Sequence, residues 1–224
     1  MAEKAKSSEL VDANPSQVPM AEVVSSTITQ FVAECRKDQN DEPNLPPKPR
    51  FGSFLRVESQ LNGLDILAVV YNVSTGPLDN VHRPSALGLT RQELQLEQPH
   101  IFSLLKTEVH AAIVGYAISG TGARRAFQHL PPQPPDVHDF VYPACAEEVL
   151  SITRDFELLR LLTNISDVPA DELISATIRE AHLITESDDD YLIEAGKKLS
   201  QILRSDYDRL LSILKKIKPD LFGL

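Results

Sequence analysis

The chain has no tryptophan among its 224 residues, two cysteines, two methionines, and aromatics at only 6%. Two thiols, Cys35 and Cys145, cannot staple a chain this long, so an apolar core has to hold the fold, and a reducing cytoplasm is the expected compartment. No apolar run approaches the roughly 18 residues a membrane-spanning helix needs, and no membrane association is expected. The opening segment MAEKAKSSELVDANPSQ lacks the apolar stretch of a secretory signal. Positive charge is scarce as well: 22 basic against 32 acidic side chains leave a net charge of −10. That balance argues against nucleic acid as a general partner and leaves room only for a local basic patch.

Chemical motifs are equally sparse. There is no G-x-x-x-x-G-K-[ST] sequence, so no ordinary P-loop. The stretch Gly115–Gly122 lacks the lysine and the following helix of a phosphate loop and reads as a hairpin turn. His82, His100, His110, His129, His138 and His182 are scattered, without H-x-x-x-H or C-x-x-C spacing for a metal. Cys145 precedes a helix start, where a thiolate is favoured, but Glu147 and Glu148 oppose it, so a structural thiol is expected. The acidic pairs Glu147/Glu148 and Asp188–Asp190 also fall at helix starts, where the macrodipole accounts for them. No catalytic residue, metal or cofactor is expected, and the chain reads as nonenzymatic.

What the sequence does contain is ordinary globular material, 42% hydrophobic and 24% charged. Residues 1–22 are polar and unpatterned, and disorder is expected there. From Ser26 to Lys37, STITQFVAECRK alternates with Thr29, Phe31, Ala33 and Cys35 on one side; a strand is favoured over an amphipathic helix because Thr27, Ile28 and Thr29 are β-branched in a row. Prolines at 43, 46, 47 and 49 mark a connector. FGSFLRVES and DILAVVYNVS (65–74) then read as two strands, joined at Asn62-Gly63, a strong tight-hairpin signal. Residues 75–99 form an excursion in which Thr90 and Glu93 make a capping box. Ile101–Leu105 is a short apolar piece, and EVHAAIVGYAIS (108–119) is a further strand whose Gly115 implies a bulge or a close backbone approach. Arg124–Leu130 pairs back on it. The stretch LPPQPPDVHDFVYP (130–143) is too stiff for a helix and is not expected as a central strand.

Beyond about 145 the period becomes helical. Ala146–Asn164 carries Val149, Ile152, Phe156, Leu159 and Leu162 at three- and four-residue steps. A second helix opens after Pro169, and a last one is expected over about 188–218. Its stripe of Leu199, Leu203, Leu210, Leu214, Ile217 and Leu221 either packs on the chain's own helices or supports a homo-oligomer.

The order SSTITQFVAECRK, a proline connector, RFGSFLRVES and DILAVVYNVSTG resembles the HAS-barrel, a small β-barrel found in HerA-type DNA-translocating ATPases and in rotary ATP synthases. Ser26, Thr27, Thr29 and Phe31, followed by Gly52, Leu55 and Val57, carry the likeness. The segments RPSALGLT, EQPHI, TEVHAAIVGY and DYLIEAGKKLSQILRSDYDRL are similar to a group of stand-alone barrel proteins of this kind. The resemblance implies a noncatalytic barrel that holds subunits together or meets a partner protein, and it carries over no catalytic residue.

The expected architecture is therefore α+β: a tail over 1–22, a small Greek-key-like β-barrel over 23–143 with an insertion at 75–99, and a helical domain over 144–224. The expected function is that of an assembly or adaptor protein, with a HerA/FtsK-like ring-forming P-loop ATPase as candidate partner. Arg83, Pro132, Pro134, His138 and Phe140 are the candidate contact residues, since PPQPP joins a stiff backbone to nearby aromatics. The competing reading of that stretch is a rigid strap closing the domain edge. The alternative function is nucleic-acid binding by the barrel, for which Arg124, Arg125 and Phe127 are the basic–aromatic cluster.

Overall fold

The computed structural model describes residues 18–36, 48–59, 63–78, 85–118, 126–186 and 189–218. Six strands, β1 (Ala21–Ser26), β2 (Gln30–Cys35), β3 (Phe54–Ser59), β4 (Leu64–Pro77), β5 (Leu105–Ile118) and β6 (Phe140–Pro143), form a closed barrel in the order β1-β2-β5-β4-β3-β6. The pairings are antiparallel throughout. β3, β4 and β5 make a meander, and β2 lies beside β5, which is a Greek-key arrangement. Helices follow the barrel, so the class is α+β.

Side-chain alternation sorts the barrel residues into two cores. Phe31, Leu55, Val57, Ile66, Ala68, Val70, Ile113 and Val141 fill the interior. Phe54, Leu67, Val69, Ala112 and Val114 point outward and pack under Val149, Ile152, Leu159, Leu173 and Ile174 of the helices. β4 is thus buried on both faces from Asp65 to Tyr71, which is why its sequence is an unbroken apolar run. β2 is buried on one face only, and Phe31, Ala33 and Cys35 alternate with half-exposed neighbours. The expected β3–β4 hairpin is present, but its last pair is Ser59 opposite Leu64, so residues 60–63 connect the strands instead of Asn62-Gly63 alone, with Gly63 at φ 62°. Asn62 lies outside the described residues.

Two glycines set how closely the helical layer approaches. At Gly115 a Cβ would overlap the Phe127 carbonyl and the Ile152 side chain, and the β4–β5 register shifts beside it. Both the bulge and the close approach expected there are present. At Gly52, with φ 84°, a Cβ would lie 2.7 Å from Ala176 on α5 (Ala170–Thr185). Arg56 adds a buried polar joint. Its guanidinium lies 3.0 Å from Glu58, 3.5 Å from Glu148 on α3 (Ala146–Thr153), and 4.8 Å from the Tyr142 ring centroid.

Several expectations need correction. The polar tail is shorter than 1–22: Met20 is buried and β1 begins at Ala21, while residues 1–17 lie outside the described residues. The strand placed at 26–37 is a hairpin instead. Thr27 Oγ1 accepts from Gln30 N–H at 3.2 Å, so the β-branched triplet makes the turn and only Gln30–Cys35 is strand. The excursion is 78–104, because β4 stays paired to Pro77, opposite Leu105. It carries α1 (Arg91–Glu97), whose Thr90–Glu93 capping box is present, and α2 (His100–Ser103), which replaces the short apolar piece. Of the proline connector, residues 37–47 lie outside the described residues.

The end of the second proline stretch does become a strand flanked on both sides. β6 pairs with β1 and β3 and closes the barrel. Its residues Phe140–Tyr142 keep their N–H groups, because the prolines stop at Pro135 and resume only at Pro143. The helix expected over 146–164 is broken at Arg154–Glu157, where Phe156 has φ 51°, into α3 and α4 (Leu158–Leu162). The last helix is likewise two, α6 (Asp189–Ile202) and α7 (Tyr207–Ile217). Asp206 stops one and starts the other by accepting from Arg209 N–H at 3.1 Å. α7 then folds back, so that Lys218 reaches Asp189 at 2.5 Å. Leu199, Leu203, Leu210, Ile213 and Ile217 are buried against the chain's own elements.

Candidate partner-binding surface

A closed barrel offers no free strand edge for another chain to extend, so contacts have to come from side-chain patches and loops. The segment between Leu130 and Phe140 is such a loop, and its proline content fixes its path. Pro131, Pro135 and Asp139 are buried; Pro132, Gln133, Asp136, Val137 and His138 are exposed. The segment runs antiparallel to β1 beyond the end of β6. His138 N–H donates to Val23 O at 2.8 Å, Val23 N–H donates to Asp139 O at 3.0 Å, and Ser26 Oγ donates to Pro135 O at 2.6 Å. It is therefore a strap over the β1 edge of the wall on one side, with its other side presented to solvent.

Within the strap, Asp139 organises a tight turn. Its N–H donates to Asp136 O at 3.1 Å, and its carboxylate accepts from Asp136 N–H at 2.8 Å. His138 stands in this turn at φ 75°, a conformation that costs a non-glycine residue about 1 kcal/mol. Its side chain is 81% exposed, with Nδ1 3.4 Å from Glu22 of β1. Val137, at 52% exposure, and Val24, at a β1 bulge and 41% exposed, are apolar groups left in water on the strap and on the strand beneath it. Phe140 is half-buried on β6, opposite Glu22.

The structure thus brings Pro132, Pro134, His138 and Phe140 onto one strap and its strand. Arg83 lies outside the described residues. Val24, Val137 and Glu22 escaped the sequence reading; the signal for Val24 was an apolar residue out of step with the β1 alternation. The rival cluster is only partly visible, because Arg124 and Arg125 lie outside the described residues. Phe127 bridges to Tyr116, stacks on its ring at 5.2 Å, and has His129 edge-on to Tyr116 at 5.3 Å.

The groups weighed for chemistry have structural tasks. Cys145 is the N-cap of α3, and its N–H donates to Glu148 Oε2 at 2.9 Å. Burial pushes both its thiol and the Cys35 thiol up, opposite to the change a nucleophile needs. Asp189 and Asp190 sit in the first turn of α6; Asp188 lies outside the described residues. The Lys218 contact holds the Asp189 carboxyl below its ordinary range. Among the described residues no three metal-ligating side chains converge, and no helix is long and apolar enough to cross a membrane.

Residues 20–119, from the start of β1 through β5, match the family model of the HAS barrel domain. No curated protein matches the chain.

Proposed function

We propose, from the match of residues 20–119 to the HAS barrel family model, that this chain works as a nonenzymatic assembly or adaptor protein that meets a ring-forming P-loop ATPase of the HerA/FtsK kind. The likeness to the noncatalytic barrels of such ATPases supplies the partner class. The observation that carries the reading is the outer side of the strap. Pro132, Pro134, Val137 and His138 are held rigidly on a hydrogen-bonded frame, so a partner that docks there loses little loop entropy in ordering it. Apolar Val24 and Val137 supply contact area, and Glu22 with His138 supplies a polar rim.

The test is affinity capture with the full chain from native lysate, beside a Pro132→Ala/Pro134→Ala variant. The parent should recover a P-loop ATPase, and the variant should recover several-fold less with an unchanged helical circular dichroism signal. Undiminished capture by the variant removes the strap from the reading, and recovery of no ATPase removes the partner class.

A second reading, single-stranded nucleic acid, is favoured by the Tyr116–Phe127–His129 cluster, which offers ring faces for base stacking. Anisotropy of labelled single-stranded DNA should then rise on adding the chain, weaken with salt, and fall away in Phe127→Ala.

A further inference from the structure

The strap carries the P-x-x-P spacing of a polyproline ligand twice, as Pro131 with Pro134 and as Pro132 with Pro135. A polyproline helix has three residues per turn, so the two prolines of such a pair share a ridge, and the grooves that read these ligands take the ridge whole. Neither pair is open here. Pro131 and Pro135 are buried, Pro134 is half-buried, and Pro132 is exposed. The Pro135 carbonyl is used as well, accepting from Ser26 Oγ at 2.6 Å. One proline of each pair thus fastens the strap to the barrel instead of facing a partner.

What the strap does present lies just beyond the prolines. The Asp139 N–H donates to Asp136 O at 3.1 Å, which makes 136–139 a β-turn with Val137 and His138 at its corner. His138 occupies the third place at φ 75°, the conformation a type II turn requires there. The frame is tied within and to β1. The buried Asp139 carboxylate accepts from Asp136 N–H at 2.8 Å, His138 N–H donates to Val23 O at 2.8 Å, and Val23 N–H donates to Asp139 O at 3.0 Å. Val137, 52% exposed, is therefore an aliphatic side chain held out in water on a fixed corner, with Val24 on the strand beneath it.

We infer that a protein partner reads the strap in this folded form, taking the Val137 corner of the turn into an apolar socket, and that modules built around a polyproline groove are shut out. This rests on the reading that the strap is where a protein docks, and adds how it is recognised. The prolines act by position: Pro131 and Pro135 seat the segment, and its stiffness keeps the turn at one place over β1. Val137 supplies the contact. A corner already ordered in the free chain loses little entropy on entering the socket, which an unfastened proline segment of the same sequence cannot match.

The test sets the full chain beside a synthetic linear peptide of residues 129–140. The first probe is an SH3 domain selected for binding that peptide. It should bind the full chain at least about tenfold more weakly, because each proline ridge has a buried member; equal affinity overturns the inference. The second readout is capture from native lysate, with the recovered proteins identified by mass spectrometry. Val137→Asp, at an exposed turn position, should lower recovery of the partner about tenfold, with unchanged exchange of the His138 amide, and Val137→Ile should retain it. The linear peptide in large excess should leave capture as it is, whereas a peptide cyclised around residues 136–139 should compete. Competition by the linear peptide overturns the inference, as does the recovery of no protein that depends on Val137. An ATPase recovered equally well by Val137→Asp overturns it too and leaves the adaptor reading standing. Recovery of a Val137-dependent protein other than an ATPase does the reverse, keeping the folded corner and removing the partner class.

Discussion

The two halves of the barrel wall are built from similar strands and meet different surroundings. β3, β4 and β5 carry apolar side chains on both faces, the inner set in the barrel and the outer set under the helices. β1 and β2 alternate, and the side they turn outward holds Glu22, Val24, Gln30, Val32 and Glu34, none of them buried. One half is therefore a wall between two cores, and the other is a wall between a core and water. The difference teaches where change is tolerated. The doubly buried half is constrained by packing on each side, and the half-solvated one is free to carry contacts.

The comparison is sharpened most by deleting volume on each side of it. Ile152 is fully buried against the Gly115 approach, and Ile152→Ala should cost about 2–5 kcal/mol. Val32→Ala on the open half should cost within about 1 kcal/mol, read by the same urea titration. Similar losses at both positions would mean that the two halves are not distinct energetically.

The buried joint between barrel and helices comes next. Glu148→Ala removes a buried carboxylate beside Arg56 and the acceptor of the Cys145 N–H, and a loss of about 3 kcal/mol is expected. Arg56→Met combined with Glu148→Leu should recover much of that, because the charge and its partner leave together. A double variant as unstable as the single would show that the cap, rather than the ion pair, dominates.

The smallest effect lies at the surface of the helical layer. The Lys198 contact holds the Glu157 carboxyl below its ordinary 4.5 against desolvation, with Arg160 adding a smaller lowering. A depressed carboxylate contributes stability above its unfolded value and loses it as pH falls through the folded one. Stability should thus decline on acidification below about pH 4.5, and Glu157→Gln should flatten part of that decline. The group is well exposed, so the difference should stay under about 1 kcal/mol. An identical acid limb in Glu157→Gln would show that the Lys198 contact contributes nothing.

Legibility in the sequence followed the range of the interaction. The β3–β4 hairpin could be read because a Gly at positive φ beside an apolar run is a local signal. The capping box at Thr90 and Glu93 is local too, spanning three residues. Gly115 announced a close approach without saying to what, since Phe127 and Ile152 come from later in the chain. The breaks at Phe156 and at Leu203–Asp206 were hidden, because apolar spacing continues across both. Asp206 is an N-cap type that could have flagged the second. Of the candidate surface, the strap's prolines and His138 were legible, but Val24 and Val137 were not. They matter through exposure, which depends on what covers a side chain and not on its type.

The sequence by itself determined the α+β division, the β3–β4 hairpin, and the presence of a stiff proline segment near residues 130–135. Periodicity, turn chemistry and proline's missing N–H all act within a few residues. Only the tertiary structure decided that β6 closes the barrel, that the helices cover β3–β5 and leave β1 and β2 open, and that α7 folds back on α5 and α6. Those outcomes depend on which apolar faces find each other across the chain. A strand or helix specifies that it has a face to bury; the partner for that face is settled only when all of them are packed together.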